Sequence, residues 1–198
     1  MPIHPTAVID SKAEIDPTVE IGPYVVIEGP VMIRANCLIK SHAFLTGHTE
    51  IGERTEIHPF AIVGNTPQDF HHTGERSYCK IGKGVIIREG ATVHLGTQPE
   101  SSTVIGDDCL LMAYSHVGHN CQLGKGVKVY NLALLAGHVE AEDGVIFSAS
   151  TLIHQFVRCG KLAFIAADAR VSTDIPPFML AFGESTIVQY NRIGMQRA

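Results

Sequence analysis

Eleven of the 198 residues in this sequence are histidines, the side chain best suited to proton transfer near neutral pH and a common metal ligand. His4, His42, His48 and His58 stand alone and read as solvated or locally hydrogen-bonded. The stretch from residue 116 onward differs. Counted modulo 18, His119, His138 and His154 fall at phases 11, 12 and 10, His116 lies three steps from His119, and His94 precedes them. On a fold that repeats every eighteen residues, these imidazoles form a column along one edge. Such a column can be a polar ladder, a zinc site or the seat of a general base. A vertical ladder spaces its rings by about one strand separation, ~4.8 Å or more, whereas the ligands of one zinc ion must converge. General-base chemistry on a hydroxyl nucleophile is therefore favoured, and no metal site is expected. Gly137, beside His138, leaves a backbone N–H open to close approach, as a donor to an oxyanion requires.

The elements that position these residues follow from a second regularity. From Ile3 to Val63 every sixth residue is aliphatic: Ile9, Ile15, Ile21, Ile27, Ile33, Ile39, Leu45, Ile51 and Ile57 lie between them. The run resumes in phase at Ile81, Ile87 and Val93, and again from Ile105 to Val171. Helices repeat at 3.6 residues and isolated strands at 2, so neither gives a strict six. A hexapeptide period marks a parallel β-helix, in which each short strand buries one aliphatic and then turns a corner. Three hexads close one triangular coil. The sequence thus predicts an all-β, single-stranded solenoid of nine to ten coils over residues 1–175, followed by a short tail at 176–198. Two stretches, 64–80 and 95–104, put Asp69, Glu75 and Pro99 where aliphatics belong. They read as loops extruded from the solenoid, and long loops on rigid scaffolds commonly carry function.

Composition narrows the function classes. Net charge is −5, which argues against generic nucleic-acid binding. Mean hydropathy is +0.14 without an apolar run near the ~20 residues of a membrane span, so no membrane span is expected. Five cysteines without a CxxC read as buried thiols in a reducing compartment. The repeat begins at Ile3, so no signal peptide is expected and the expected location is cytoplasmic.

Several stretches resemble the acyl-carrier-protein-dependent UDP-N-acetylglucosamine O-acyltransferases that begin lipid A synthesis. They are Ser41-His42 with Gly47-His48-Thr49; Gln68-Asp69; Ile87-Arg88-Glu89; Thr92-Val93-His94 with Gly96-Thr97; Ser115 to Cys121; Leu135-Ala136-Gly137-His138-Val139; His154-Gln155-Phe156; and Asp174-Ile175-Pro176-Pro177. The repeat alone is unspecific, being shared with acetyltransferases and nucleotidyltransferases; the motifs together are specific. The resemblance implies a left-handed β-helix, a homotrimer with active sites between neighbouring solenoids, and no cofactor. It implies His119 as general base for the sugar 3-hydroxyl and the Gly137 N–H as oxyanion donor. Asp69, His94, His116, His138, His154 and Gln155 would contact the sugar nucleotide or acyl chain, Asn191 and Arg197 would hold the nucleotide, and Ala167 would end the acyl pocket. Acyl carrier protein is acidic, so Lys128, Arg158, Lys161 and Arg170 are candidates for its approach.

The sequence departs from the family pattern at named positions. Asn120 replaces an aspartate after the base, His71 a lysine, and Leu132 an asparagine; Ile193 and Ala198 stand where Glu and Arg are expected. The family continues into a helical domain, which 176–198 would begin. Transfer to another nucleotide sugar, or a catalytically idle scaffold, are the alternative readings.

Overall fold

The computed structural model describes residues 3–197, the side chain of Arg197 excepted. Three parallel sheets form the sides of a triangular prism, a left-handed β-helix. The first holds nine strands from Val8–Ile9 to Arg170–Val171, the second eight from Glu14–Ile15 to Arg158–Cys159. The third runs from Glu20–Ile21 to Met179–Phe182, with the antiparallel Thr186–Tyr190 added at its edge. Most strands are two residues long, one pointing out and one in. The inward residues are those of the hexad: Ile27, Leu45, Val63, Val93, Val117 and Leu135 stack along the first sheet and are buried. Each aliphatic removed from water in this way contributes about 1.5–3 kcal/mol.

Pairing in the regular coils joins residues eighteen apart, as in His116 with Leu134 and Leu134 with Leu152. Ile62 pairs with Thr92 and Thr92 with His116, so the two insertions add whole multiples of six and leave the phase unbroken. They are shorter than the sequence suggested. Tyr78–Ile81 and Ser102–Ile105 are strands of the second sheet, because Cys79, Ile81, Thr103 and Ile105 alternate inward and are buried. The irregular segments are residues 66–77 and 95–101. Both leave the corner between the first and second sheets, on successive coils.

The coil also continues past residue 175. Ile175 bridges to Cys159, Met179–Phe182 pairs in parallel with Phe164–Ile165, and Glu184 bridges to Arg170. Pro176-Pro177 breaks the six-residue spacing without ending the solenoid. Helix Arg192–Arg197 closes the described chain. All five cysteines are free and buried. No helix among the described residues is long and apolar enough to cross a membrane.

Candidate active site

Three coils above the insertions' origin, the corner between the first and second sheets makes the same tight turn each time. Its third residue adopts a left-handed backbone, at Asn120 (φ 60°), His138 (φ 61°) and Phe156 (φ 66°). That conformation is costly for a residue with a side chain, and the turn enforces it once per coil, so these three side chains are brought into file. The His138 ring stacks on Phe156 with centroids 4.6 Å apart and planes at 20°. It also meets His119 edge-on at 5.2 Å. His94 and His116 form a second edge-on pair at 4.8 Å. The single column expected from the sequence is thus two pairs, and the ring above His138 is Phe156 rather than His154. His154 is exposed and bonds the carbonyl of Gln155 at 3.2 Å.

His119 lies between two clefts. One, of about 640 Å³, is lined by His94, His116, Gly137, Leu134, Leu152 and His154 among others. The second, of about 530 Å³, opens toward the insertions and is lined by Asp69, Phe70, His71, His138, Gln155 and Phe156 among others. Gln68, His119 and Gln155 border both. Leu134 and Leu152 give the first cleft an apolar wall, and Arg170 lies at its upper end. The sequence reading missed the two leucines. Their signal was present, since they sit eighteen residues apart in the outward positions that follow Thr92 and His116 on the same sheet.

The tautomer of His119 follows from its neighbours. The Thr97 N–H donates to Asn120 Oδ1 at 2.9 Å, and a backbone N–H can only donate. The atom facing it is therefore the amide oxygen, and the same oxygen lies 3.1 Å from His119 Nδ1. An oxygen only accepts, so Nδ1 carries the proton and Nε2 presents its lone pair to the clefts. Asn120 thereby orients the imidazole and fastens the 95–101 loop with one atom. Gly137 is required by space: a Cβ there would lie 2.3–2.4 Å from the His119 ring. Its N–H, like others at this place in the turn, has no acceptor among the described residues.

Burial sets the charge state of the other imidazoles. His94 is only 4% exposed; burial first, then the nearby His116 and His119, push it down to about 4. His116 and His138 are lowered for the same leading reason. Neutral His94 accepts the Gln68 N–H at 3.4 Å, which docks the first insertion. Asp69, on that insertion, is held below the ordinary carboxylate range chiefly by the His71 N–H. No group of three or more His, Cys, Asp or Glu among the described residues is arranged to hold a metal ion.

The remaining expected site residues lie elsewhere. Asn191 caps the terminal helix: its Oδ1 accepts the Gly194 N–H at 3.0 Å and its Nδ2 donates to the Leu162 carbonyl at 2.7 Å. Ala167 is exposed and lines neither cleft of one chain. The side chain of Arg197, and Ala198, lie outside the described residues. Arg158 is committed to an ion pair with Asp174 at 2.8 Å, while Lys128 and Lys161 are exposed.

A parallel β-helix with hexad register and an outward histidine cluster belongs to the hexapeptide-repeat class, and the family model for bacterial transferase hexapeptide (six repeats) matches residues 102–137. An acyl-[acyl-carrier-protein]–UDP-N-acetylglucosamine O-acyltransferase from Anaeromyxobacter sp. (strain Fw109-5) is 50% identical over the whole chain and 78% of its own length. The one from Sinorhizobium fredii is 40% identical over 74% of the chain, a match that spans 55% of that relative, about half its length. The UDP-N-acetylglucosamine acyltransferase of Francisella novicida superposes with a TM-score of 0.96 at 38% identity, covering 98% of this chain and 72% of that one. That of Arabidopsis gives 0.88 at 32%, covering 98% and 76%. The chain belongs to the acyl-[acyl-carrier-protein]–UDP-N-acetylglucosamine O-acyltransferase family.

Two outcomes follow from the site's geometry. Gly137→Ala should push the His119 ring aside and lower kcat by about a hundredfold, the scale of a 1 Å misplacement, with Tm nearly unchanged because a side chain yields rather than backbone; steady-state kinetics and a melting curve check both. His94 titrates near 6.5 when unfolded and at about 4 when folded, so the unfolded chain binds more protons between those values. Its stabilisation is fully present above pH ~6.5 and is lost as pH falls toward about 4, a change of up to about 3 kcal/mol. Urea unfolding at several pH values should show that loss, and His94→Gln should flatten it.

Proposed function

We propose that this chain transfers a (3-hydroxy)acyl group from acyl carrier protein to the 3-hydroxyl of UDP-N-acetylglucosamine, the first step of lipid A synthesis. The observation that carries the reading is the His119 Nε2 lone pair, aimed between two clefts with Gly137 against its ring. Family membership supplies the substrates.

In this reading His119 Nε2 takes the proton of the sugar hydroxyl as its oxygen attacks the thioester carbonyl carbon. The carbonyl oxygen becomes an oxyanion and accepts the Gly137 N–H. Collapse of the tetrahedral intermediate breaks the carbon–sulfur bond, and the carrier thiolate takes the proton back from His119. The ester and the free carrier thiol are the products. The thioester is already activated, so the step calls for no redox or metal cofactor. Asp69, His138 and Gln155 hold the sugar in the second cleft and its border, and His116 contacts the substrates from the first. His94 and His154 line the first cleft, whose leucine wall suits an acyl chain. Asn191 and Arg197 serve the nucleotide, Asn191 by fixing the helix that ends at Arg197. Ala167 limits chain length from the outer surface, facing an acyl chain held between two solenoids.

A homotrimer completes that arrangement. The outward face of the first sheet carries Val8, Val26, Phe44, Ile62, Leu134 and Leu152. The neighbouring corner exposes Tyr24, Phe60, Tyr114 and Leu132. Apolar area of this extent favours burial between copies. Arg170, at the end of the acyl cleft, suits the acidic carrier. Both substrates and five reduced thiols fit a cytoplasmic location.

Purified protein given UDP-N-acetylglucosamine and a panel of acyl carrier protein thioesters should yield the O-acylated sugar nucleotide by mass spectrometry. His119→Ala should slow it by roughly 10²–10⁴-fold with the fold retained. Full activity in that variant would remove the mechanism, and product only from another nucleotide sugar would move the substrate assignment. Sedimentation should give a trimer at micromolar concentration; a monomer would contradict the intersubunit site.

A further inference from the structure

The residue beside the base carries no charge. Position 120, beside His119, carries an amide whose oxygen already serves the Thr97 N–H and His119 Nδ1. It fixes the ring's direction but places no negative charge against an imidazolium. A carboxylate does reach the ring from elsewhere: Asp69 Oδ2 lies 3.9 Å from His119 Nε2, with side chains only 19% and 14% exposed. The geometry points to Asp69 as the electrostatic partner of His119, so that in this chain Asn120 orients the base while the charge that stabilises its protonated form comes from the first insertion. The inference deepens the proposed acyl transfer and rests on it.

Every charged or titratable group around His119 bears on the assignment. From its own coil comes His116, from the coil below His94, and from the coil above His138; each is an imidazole held neutral by burial. His71, against Asp69 Oδ1, and His154, in the first cleft, are exposed imidazoles. Gln68 and Gln155 are uncharged. Glu75, in the second cleft, is engaged by His72 at 3.3 Å. Glu184 lies at the level of Arg170, at the end of the first cleft. Asp69 is thus the one carboxylate paired with His119 among the described residues. At 3.9 Å the two atoms are too far apart to share a hydrogen bond directly, and a sugar hydroxyl, with one proton to give, donates to only one of them. The proton of such a hydroxyl goes to Nε2, because a carboxylate is the weaker base. Asp69 Oδ2 then lies 3.9 Å from the imidazolium nitrogen, where its charge stabilises the protonated ring.

Asp69 is fixed independently of any substrate. Its Oδ1 accepts the His71 N–H at 2.9 Å and lies 3.1 Å from His71 Nδ1, and its carbonyl accepts the His72 N–H at 3.2 Å. Asp69→Asn keeps an oxygen for the His71 N–H, removes the charge, and puts an N–H donor where Oδ2 faces His119.

The test is the pH dependence of kcat/KM, which reports the free enzyme, for wild type, Asp69→Asn, Asn120→Asp and the double variant, using UDP-N-acetylglucosamine and a 3-hydroxyacyl carrier protein. A carboxylate beside an imidazole favours its protonated form. Asp69→Asn should therefore move the acid limb to lower pH and reduce the plateau kcat by about tenfold or more. A carboxylate restored at position 120 should move the limb back up and recover most of the rate in the double variant. A rise in KM with the acid limb unmoved, or a double variant as slow as Asp69→Asn, would overturn the inference and leave Asp69 as a substrate contact. His119→Ala separates the two levels: if it retains activity, the proposed base itself falls, whatever Asp69 does.

Discussion

A side chain inside this solenoid has neighbours only across the triangular section and on the coils directly above and below. Its burial depends on the next coil presenting an apolar residue at the same height, and that requires the chain to return after three hexads. One register therefore governs everything outside the core. Once Val117, Leu135 and Ile153 are stacked, the turns that follow them are stacked too. Residues 118–120, 136–138 and 154–156 have no freedom to be anywhere but one above another. The site is built from consecutive copies of one corner, and its vertical spacing is the strand spacing of a sheet.

The same register explains how function was added without cost to the fold. Insertions that change chain length by multiples of six return the next strand to its phase, so the interior column passes through them unbroken. Both emerge from the corner that bears His119, one and two coils below it. They fold back onto it through His94, Asn120 and the approach of Asp69 to His119. The second cleft exists because the insertions stand out from the corner and rise beside it; the first is lined mainly by the coils, with Gln68 at its edge.

What the sequence disclosed and what it withheld divide along this line. Inward positions repeat strictly, so the period alone gave the coils, the buried cysteines and the level of each histidine. Outward positions obey no such rule. His154 was grouped with His138 although it lies two phases away; the residue eighteen on from His138 is Phe156, and the left-handed turn sets its ring in the file. The strands Tyr78–Ile81 and Ser102–Ile105 were absorbed into loops because four-residue alternation is invisible to a search for sixes. Asn191 read as a ligand, and its amide is spent on a helix end, a fact set by tertiary contact with Leu162. The role of Asn120 depended on which atom faces Thr97, a residue twenty-three positions away through an insertion.

Four imidazoles within two edge-on pairs would be a poor proton device if they titrated alike, since each protonation would oppose the next. Burial lowers three of them: His94 and His116 sit against the wall of the solenoid, and His138 lies under Phe156. They remain neutral, with donor and acceptor nitrogens for hydroxyls and amides. His119 differs in having a carboxylate on one side and an amide oxygen on the other. Pushing like groups apart by environment is how one residue type can supply both a base and its binding wall. Here the corner register brings the imidazoles together, and the insertions, through Asp69 and Thr97, make one of them different.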